Sequence, residues 1–585
     1  MEKTLSSRTP FLGRSITQPS LLSSRMIWLV LFLGAVVWAL ARAGLFQEGR
    51  EIINTGGWSL MVGFFKASLY PEISFEFLRL VLRATLTTLA FAVSGLTLSV
   101  IFGFILGIFA SEVWWESRYP RRANGWRSKA HKAPWLVIRS GLAFFRSIHE
   151  IVWALFFVAV IGLDPLTAIL AIAIPFGAII GKIFSEILDE TPKDPLNALL
   201  NSGISTNKAF LYSLLPQASN ELFSYSFYRF ECAIRAAAVL GIIGAGGLGY
   251  EIFLSLQTLK FEQIWTLLFA LFLLNGLVDL WSSLLRRRLG SRISCTGACS
   301  ERAVITGSKG RGLTSDPVAR TSLIIFALLI PLSFWFISPD ITKLTSPRTA
   351  QNLSEVAHFS IPPDFSGLEI ERWVDLSTTT LAMSILAIAF ASIFALLISF
   401  PAANNFLLQD GILYTGRGGK IHQILGTTFL LLSRGLLLVF RSIPAPIWAL
   451  ILLYVMFPGI LPGAIALGIY TLGVLGRLTA ESTENLDDRP LVALKAGGAS
   501  GGQVFAYGAL PPVLPRYIGY IFYRWEEVIR ATVVVGLVGA GGLGRQLVEQ
   551  ISSFNYPAVL ATLIIFIGVI LLVDLTSGRA RRAFR

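Results

Sequence analysis

The stretch Arg235-Ala236-Ala237-Ala238-Val239-Leu240-Gly241-Ile242-Ile243-Gly244-Ala245-Gly246-Gly247-Leu248-Gly249 decides how this chain is read. It returns 295 residues later as Arg530-Ala531, Gly536 and Gly539-Ala540-Gly541-Gly542-Leu543-Gly544. Taken literally it contains G-x-G-x-x-G. A dinucleotide site would need a strand before it and a soluble unit around it, whereas a long apolar helical run precedes it here. Working outward, the same offset relates Tyr228-Arg229-Phe230-Glu231 to Tyr523-Arg524-Trp525-Glu526, Leu215-Pro216 to Leu510-Pro511, and Gly203 to Gly498. It also relates Glu186 to Glu481, Gly181 to Gly476, Trp153 to Trp448, Arg146-Ser147-Ile148 to Arg441-Ser442-Ile443, and Val278-Asp279-Leu280 to Val573-Asp574-Leu575. Further upstream, Thr88-Leu89-Ala90 matches Thr380-Leu381-Ala382 at an offset of 292, which places a three-residue length difference in the loop between. Self-similarity in one register over such a span is a tandem duplication.

Composition sets the medium in which the two copies fold. Of 585 residues, 54% are hydrophobic and 14% charged, and mean hydropathy is +0.66. Soluble chains run at about 45–50% apolar and about 25% charged, so an ordinary soluble enzyme, a disulfide scaffold and a disordered protein are all excluded. Gly 52 and Phe 42 suit a polytopic membrane protein, where small residues let helices approach. The cysteines Cys232, Cys295 and Cys299 are odd in number and imply no disulfide framework. Cys295 and Cys299 have no further Cys or His near them to complete a metal site, so they read as free thiols.

Six apolar segments fall in each copy, at roughly 26–45, 82–110, 134–163, 165–183, 219–243 and 262–284, then 321–339, 376–402, 427–457, 459–478, 514–538 and 557–576. An even number per copy gives both copies one orientation, a parallel repeat about an axis along the membrane normal. The expected fold is an all-α polytopic membrane protein: a cytoplasmic segment 1–25, a first repeat 26–284, a basic linker 285–320 and a second repeat 321–585. The net charge of +14 is spread as flanks between apolar runs rather than as one basic domain, which argues against nucleic acid and for membrane lipid as the surroundings. The positive-inside rule places the N-terminus, the 111–134 loop, the junction and the tail in the cytoplasm, and the loop at about 46–78 outside. The first apolar run shows no small-residue cleavage site and reads as a retained helix.

Three features stand out as carriers of function. The loop between the fourth and fifth crossings reads Ala198-Leu199, Gly203, Ser205 and Leu215-Pro216, and again Ala493-Leu494, Gly498, Ser500 and Leu510-Pro511, with thirteen residues from glycine to proline in both. The glycine-rich ends, with Gly244, Gly246 and Gly247 and their twins Gly539, Gly541 and Gly542, either expose backbone N–H groups to an anion or permit close helix packing. Mid-way along the third crossing lies Arg146-Ser147-Ile148-His149-Glu150, paired with Arg441-Ser442-Ile443-Pro444-Ala445-Pro446. The prolines break the helix in the second copy, and broken helices point to a transport pathway. The replacement of Pro444 by His149 and of Glu150 by Ala445 makes the halves unequal. His149 reads as a packed or hydrogen-bonded residue in preference to a proton relay. Within the fifth crossing, Glu231–Arg235 and Glu526–Arg530 are spaced i,i+4 on one helix face and are expected as intramembrane ion pairs, with an anion-steering role as the sharper reading. Asp279 and Asp574 read as interfacial ion-pair residues.

The cytoplasmic loop resembles the EAA loop of ATP-binding-cassette importer permeases, departing from it at Asn197 and Val492 where that family often has Glu. The stretch from Leu215-Pro216 to Gly249 resembles, in order and spacing, the phosphonate/phosphite/phosphate-uptake permeases of the same class, and both copies do so. Methionine and glycine-betaine permeases share a related glycine-rich end. The resemblance implies a type I importer permease with both units fused, carrying phosphonate, phosphite or phosphate across a bacterial inner membrane. It implies coupling loops that dock two copies of a cytosolic ATPase, and an extracytoplasmic substrate-binding protein. It also implies that ATP and Mg2+ sit on the ATPase while this chain binds no cofactor. The sequence contains no P-loop, metal-ligand cluster or nucleophile–His–acid set, so no catalysis of its own is expected. A methionine or betaine importer and a proton-coupled secondary transporter remain as rivals.

Overall fold

The computed structural model describes residues 24–47, 52–118, 133–289, 316–366, 369–408, 411–414 and 420–584. The expectations for Cys295, Cys299 and most of the basic flanks fall outside these residues. The first repeat is built from α1 (Ser24–Arg42), α2 (Phe75–Ala110), α3 (Ala133–Ser147), α4 (Glu150–Ile161), α5 (Pro165–Glu190), α6 (Asp194–Asn201), α7 (Leu215–Leu240), α8 (Leu248–Gln257) and α9 (Phe261–Leu289). The second repeats it with α10 (Pro317–Ile337), α11 (Ile370–Ser399), α12 (Lys420–Ser442), α13 (Ala445–Leu452), α14 (Ile460–Glu484), α15 (Asp488–Ala496), α16 (Leu510–Val535), α17 (Gly542–Ser552) and α18 (Tyr556–Phe584). Among the described residues the sole extended pairing is a bridge between Ile53 and Met456. Helices satisfy every backbone group internally, which is what a bilayer demands.

Each apolar segment anticipated in the sequence lies on a helix, and the structure adds where helices break. Among the described residues eight are long and apolar enough to cross a bilayer, and two further spans are bent pairs, α3 with α4 at 88° and the Thr206–Ala245 segment with α8 at 55°. The fifth crossing of the second repeat, α16, is less apolar because it carries Arg516, Arg524, Glu526, Glu527 and Arg530. Both third crossings are broken, not only the one with prolines. In the second repeat Pro444 and Pro446 set the break between α12 and α13. In the first, His149 takes that place and its ring accepts the N–H of Ile151 at 3.3 Å, capping α4.

The tightest packing in each half is α2 on α5 and its counterpart α11 on α14. Small residues make it possible: a Cβ on Gly95, Gly103 or Gly107 of α2 would lie 2.9, 2.6 or 2.8 Å from Ile172, Ile180 or Phe184 of α5. These glycines fall on one helical stripe, the small-residue contact expected where lipid cannot drive helices together.

The two repeats are laced together. α1 packs on α11 of the other half and α10 packs on α2, with Arg42 bound to Asp375 at 2.6 Å. Segments next to the broken third crossings repeat the exchange. Asn54 N–H donates to the Val455 carbonyl at 2.7 Å and Phe457 N–H to Ile52 at 3.3 Å. On the other side Asn352 donates to the Val160 carbonyl at 3.0 Å, and Lys343 pairs with Asp164. That hydrogen bond to Asp164 holds the exposed Lys343 ammonium above its ordinary pKa.

Candidate functional site

Between the repeats lies a cavity of about 160 Å³. One water needs about 10–15 Å³ on this measure, so there is room for a small solute. The α3–α4 break, α5 and α7 wall one side, and the α12–α13 break, α14 and α16 wall the other. Arg146, Arg229, Arg235, Arg524 and Arg530 line it, against the carboxylates Glu150 and Glu527, with Phe176, Tyr228 and Tyr470 among the ring-bearing walls. Charges within a bilayer face a bundle interior or a wet cavity and mark pathways.

The pairing of these charges is not that of the spacing rule. Arg235 meets Glu231 at 3.4 Å, but Glu231 is closer to Arg441 of the other half, at 3.0 Å. Arg441 also reaches Asp279 at 2.8 Å. On the twin side Arg146 meets Asp574 at 3.5 Å. Asp279 and Asp574 therefore pair across the repeats. The expected Glu526–Arg530 pair is not made. Arg581, on the next turns of α18, comes within 2.7 Å of Glu526 and Ser577 donates to it at 2.7 Å. Arg530 instead donates to the Arg146 carbonyl at 3.4 Å, a group the broken helix leaves free.

Of the residues singled out in the sequence, the structure places Arg146, His149, Arg235 and Arg530 on the cavity. Ser147 and Ser442 are buried at the breaks, and Arg441, 8% exposed, is spent on the cross-repeat clamp. The glycine-rich ends lie away from the central cavity, and Gly244 lines a smaller one of about 110 Å³. Their backbone turns through positive φ at Gly244, Gly246 and Gly247, and at Gly539, Gly541 and Gly542. α8 then folds back so tightly that a Cβ on Gly249 would sit 1.7 Å from the Ala238 carbonyl oxygen. The first N–H beyond the turn is not offered to a ligand: Leu248 donates to Thr88 at 2.8 Å and Leu543 to Thr380 at 2.9 Å. Replacing Thr88 by valine strands that N–H in a buried site, an expected cost of about 1–3 kcal/mol. A lowered melting temperature of the purified chain, restored by Thr88→Ser, is the measurement.

Three charged cavity residues were not singled out from the sequence: Arg229, Arg524 and Glu527. The two arginines stand within the repeated Tyr-Arg-x-Glu, so the register already displayed them. Glu527 aligns with Cys232, a difference between the copies that was equally visible.

In the segments between the fourth and fifth crossings, α6 is followed by Gly203 at φ +81° and α15 by Gly498 at φ +82°. Nothing stands within 4 Å of a Cβ at either position. Both knobs present apolar groups to solvent, Tyr212 (74% exposed) and its twin Tyr507 (76%) foremost. Behind each knob an arginine ties the third crossing to the end of the fourth: Arg139 to Asp189 at 3.1 Å, and Arg434 to Glu484.

This is a duplicated membrane transport subunit, and comparison with known proteins defines its family. The model of the binding-protein-dependent transport system inner membrane component matches residues 128–291 and again 423–585. The chain belongs to that family and carries its domain twice. It is similar to the phosphate-import permease protein PhnE of Mycolicibacterium smegmatis, at 25% identity with 84% of each chain covered. It is also similar to the phosphite transport system permease protein PtxC of Stutzerimonas stutzeri, at 34% identity with 45% of this chain and 88% of that one covered.

Proposed function

We propose that this chain is the complete membrane pathway of an ATP-driven importer for phosphate-, phosphite- or phosphonate-type oxyanions in a bacterial inner membrane, with both termini cytoplasmic. The observation that carries this reading is the arginine-lined cavity enclosed by two fused family domains, each with its own exposed coupling knob. An arginine fork matches a tetrahedral oxyanion and keeps its charge at any working pH. The names of the similar permeases point to the same substrate class.

Two copies of a cytosolic ATPase would dock, one beneath each knob. Closing on ATP, they draw the knobs together, and the Arg139–Asp189 and Arg434–Glu484 ties pass that motion to the crossings. The Asn54–Val455 and Lys343–Asp164 contacts then part, and the cavity opens outward to accept substrate from an external binding protein. Hydrolysis on the ATPase returns it to the inward state. ATP and Mg2+ belong to the ATPase in this scheme, and this chain contributes pathway and coupling only.

Two measurements test it. Affinity purification of the tagged chain from its native membranes, in mild detergent, should retain a P-loop ATPase at two per chain. Proteoliposomes holding the chain with that ATPase and its binding protein should accumulate phosphate, phosphite or a phosphonate only when ATP is supplied. Uptake driven by a proton gradient without ATP would transfer the chain to the secondary transporters.

A further inference from the structure

The two halves of the cavity are built from the same residues but neutralise their arginines differently. In the second repeat Arg524 is paired with Glu527 one turn away. Its twin Arg229 has no such partner, because Cys232 stands where Glu527 would be. Arg229 instead lies over the Phe176 ring at 4.2 Å; its Nε, like those of Arg235 and Arg524, is buried without a hydrogen-bond acceptor among the described residues. In the first repeat Arg235 has Glu231. Its twin Arg530 has lost the equivalent acid, since Glu526 is taken by Arg581 and Ser577. One arginine from each half is thus left without a carboxylate within ion-pair distance among the described residues, and both line the same cavity.

The electrostatics converge there. Glu527 lies within Coulombic reach of Arg524, Arg530, Arg229 and Arg235, and of these only Arg524 and Arg235 have a carboxylate at ion-pair distance among the described residues. Burying a charge without a compensating one is strongly unfavourable, and Arg229 is only 6% exposed. Set against Asp574, Glu231, Glu150 and Glu527, the five cavity arginines leave one positive charge over, which calls for an anion. Two forks from opposite walls suit a tetrahedral oxyanion better than a halide, because each can present paired donors to two oxygens.

We propose that the permease itself holds one tetrahedral oxyanion, between Arg229 of the first repeat and Arg530 of the second, as a way-station inside the membrane. The proposal rests on the oxyanion reading above and adds a resident site to it. The substitution of Glu by Cys232 is the specific device that leaves Arg229 available. Phosphate, phosphite and phosphonate share the recognised group, and the site selects that group rather than the substituent.

The test uses the full chain in lipid nanodiscs, with neither ATPase nor binding protein present, and radiolabelled inorganic phosphate as the probe. Saturable binding of one phosphate per chain is expected, displaced by phosphite and methylphosphonate. Arg229→Gln and Arg530→Gln should each weaken it by tenfold or more, and Arg229→Lys by less. Arg545→Gln, which removes an exposed arginine paired with Glu549, should leave it unchanged. Cys232→Glu supplies the missing acid and should abolish binding while the chain stays monodisperse. Glu527→Gln works in the opposite sense by freeing Arg524, and should tighten binding several-fold, so a misfolded Cys232→Glu variant would not end the test. Absence of saturable phosphate binding, or binding indifferent to the Arg229, Arg530 and Glu527 changes, overturns the proposal. If the assembled transporter still accumulates phosphate in that event, the resident site alone is wrong; if it accumulates no phosphorus oxyanion at all, the functional reading falls with it.

Discussion

Changing Gly203 and Gly498 together to valine should abolish ATP-driven uptake, to below about a hundredth of the parent rate, while the chain still reaches the membrane in normal amount. The reason is conformational rather than steric. Both glycines sit in the left-handed region and both have open space where a Cβ would go, so a valine clashes with nothing. It does pay about 1–2 kcal/mol to hold that backbone, with more expected for a β-branched side chain. The short helix and the following turn would relax away from their present angle. That angle sets how Tyr212 and Tyr507 stand out from the knobs. The membrane-spanning helices are not involved, since α6 and α15 lie outside the apolar spans. Asparagine tolerates the left-handed region better than other non-glycine residues, so Gly203→Asn with Gly498→Asn should keep a substantial part of the uptake. Full transport by the double valine variant would remove these loops from the coupling path. Loss of the chain from the membrane would show instead that the glycines serve folding.

The second large effect concerns Arg441. Arg441→Met should destabilise the chain by about 3–5 kcal/mol, the range for breaking a buried ion pair from one side. The side chain is 9% exposed and binds acids on two different helices of the other repeat, Glu231 and Asp279. Glu231 would keep Arg235 at 3.4 Å, so Asp279 carries most of the penalty. Adding Asp279→Asn to Arg441→Met should therefore recover much of the loss. The twin change Arg146→Met should cost less. Its partner Asp574 is farther, at 3.5 Å, and the two side chains are 20% and 19% exposed, where solvent screens the pair. Thermal unfolding of the purified proteins, followed by loss of monodisperse protein, would rank the three variants. Equal losses for Arg146→Met and Arg441→Met would mean that the clamp is not asymmetric.

These two experiments touch residues that the sequence presented in very different ways. Gly203 and Gly498 were legible because their role is local: a glycine thirteen residues before the proline of Leu-Pro, seen twice, already implies a turn between helices. Arg441 was legible as a charged residue at a helix break, which suggested the pathway. Its partners lie 210 and 162 residues away, and they turn it from a substrate-facing group into a clamp between the halves. The glycine-rich ends changed sense for a similar reason. A run of glycines permits both an anion nest and a tight fold-back, and only the arrival of Thr88 and Thr380 from α2 and α11 assigns the Leu248 and Leu543 N–H groups to packing.

What the sequence by itself determined is what depends on chain distance: the duplication, the bilayer-length helices, the breaks at proline and glycine, and the knobs between the fourth and fifth crossings. What only the tertiary structure decided is the pairing of charge. Glu231–Arg235 and Glu526–Arg530 have identical spacing on equivalent helices. One pair forms and the other does not, because Arg581 and Ser577 approach Glu526 from α18. In a medium of low dielectric, differences of an ångström between competing partners amount to large differences in energy. Those distances are set by how helices pack, and that packing leaves Arg530 on the cavity without a carboxylate at ion-pair distance among the described residues, whereas Arg229 lacks one because Cys232 replaces the acid in the sequence itself.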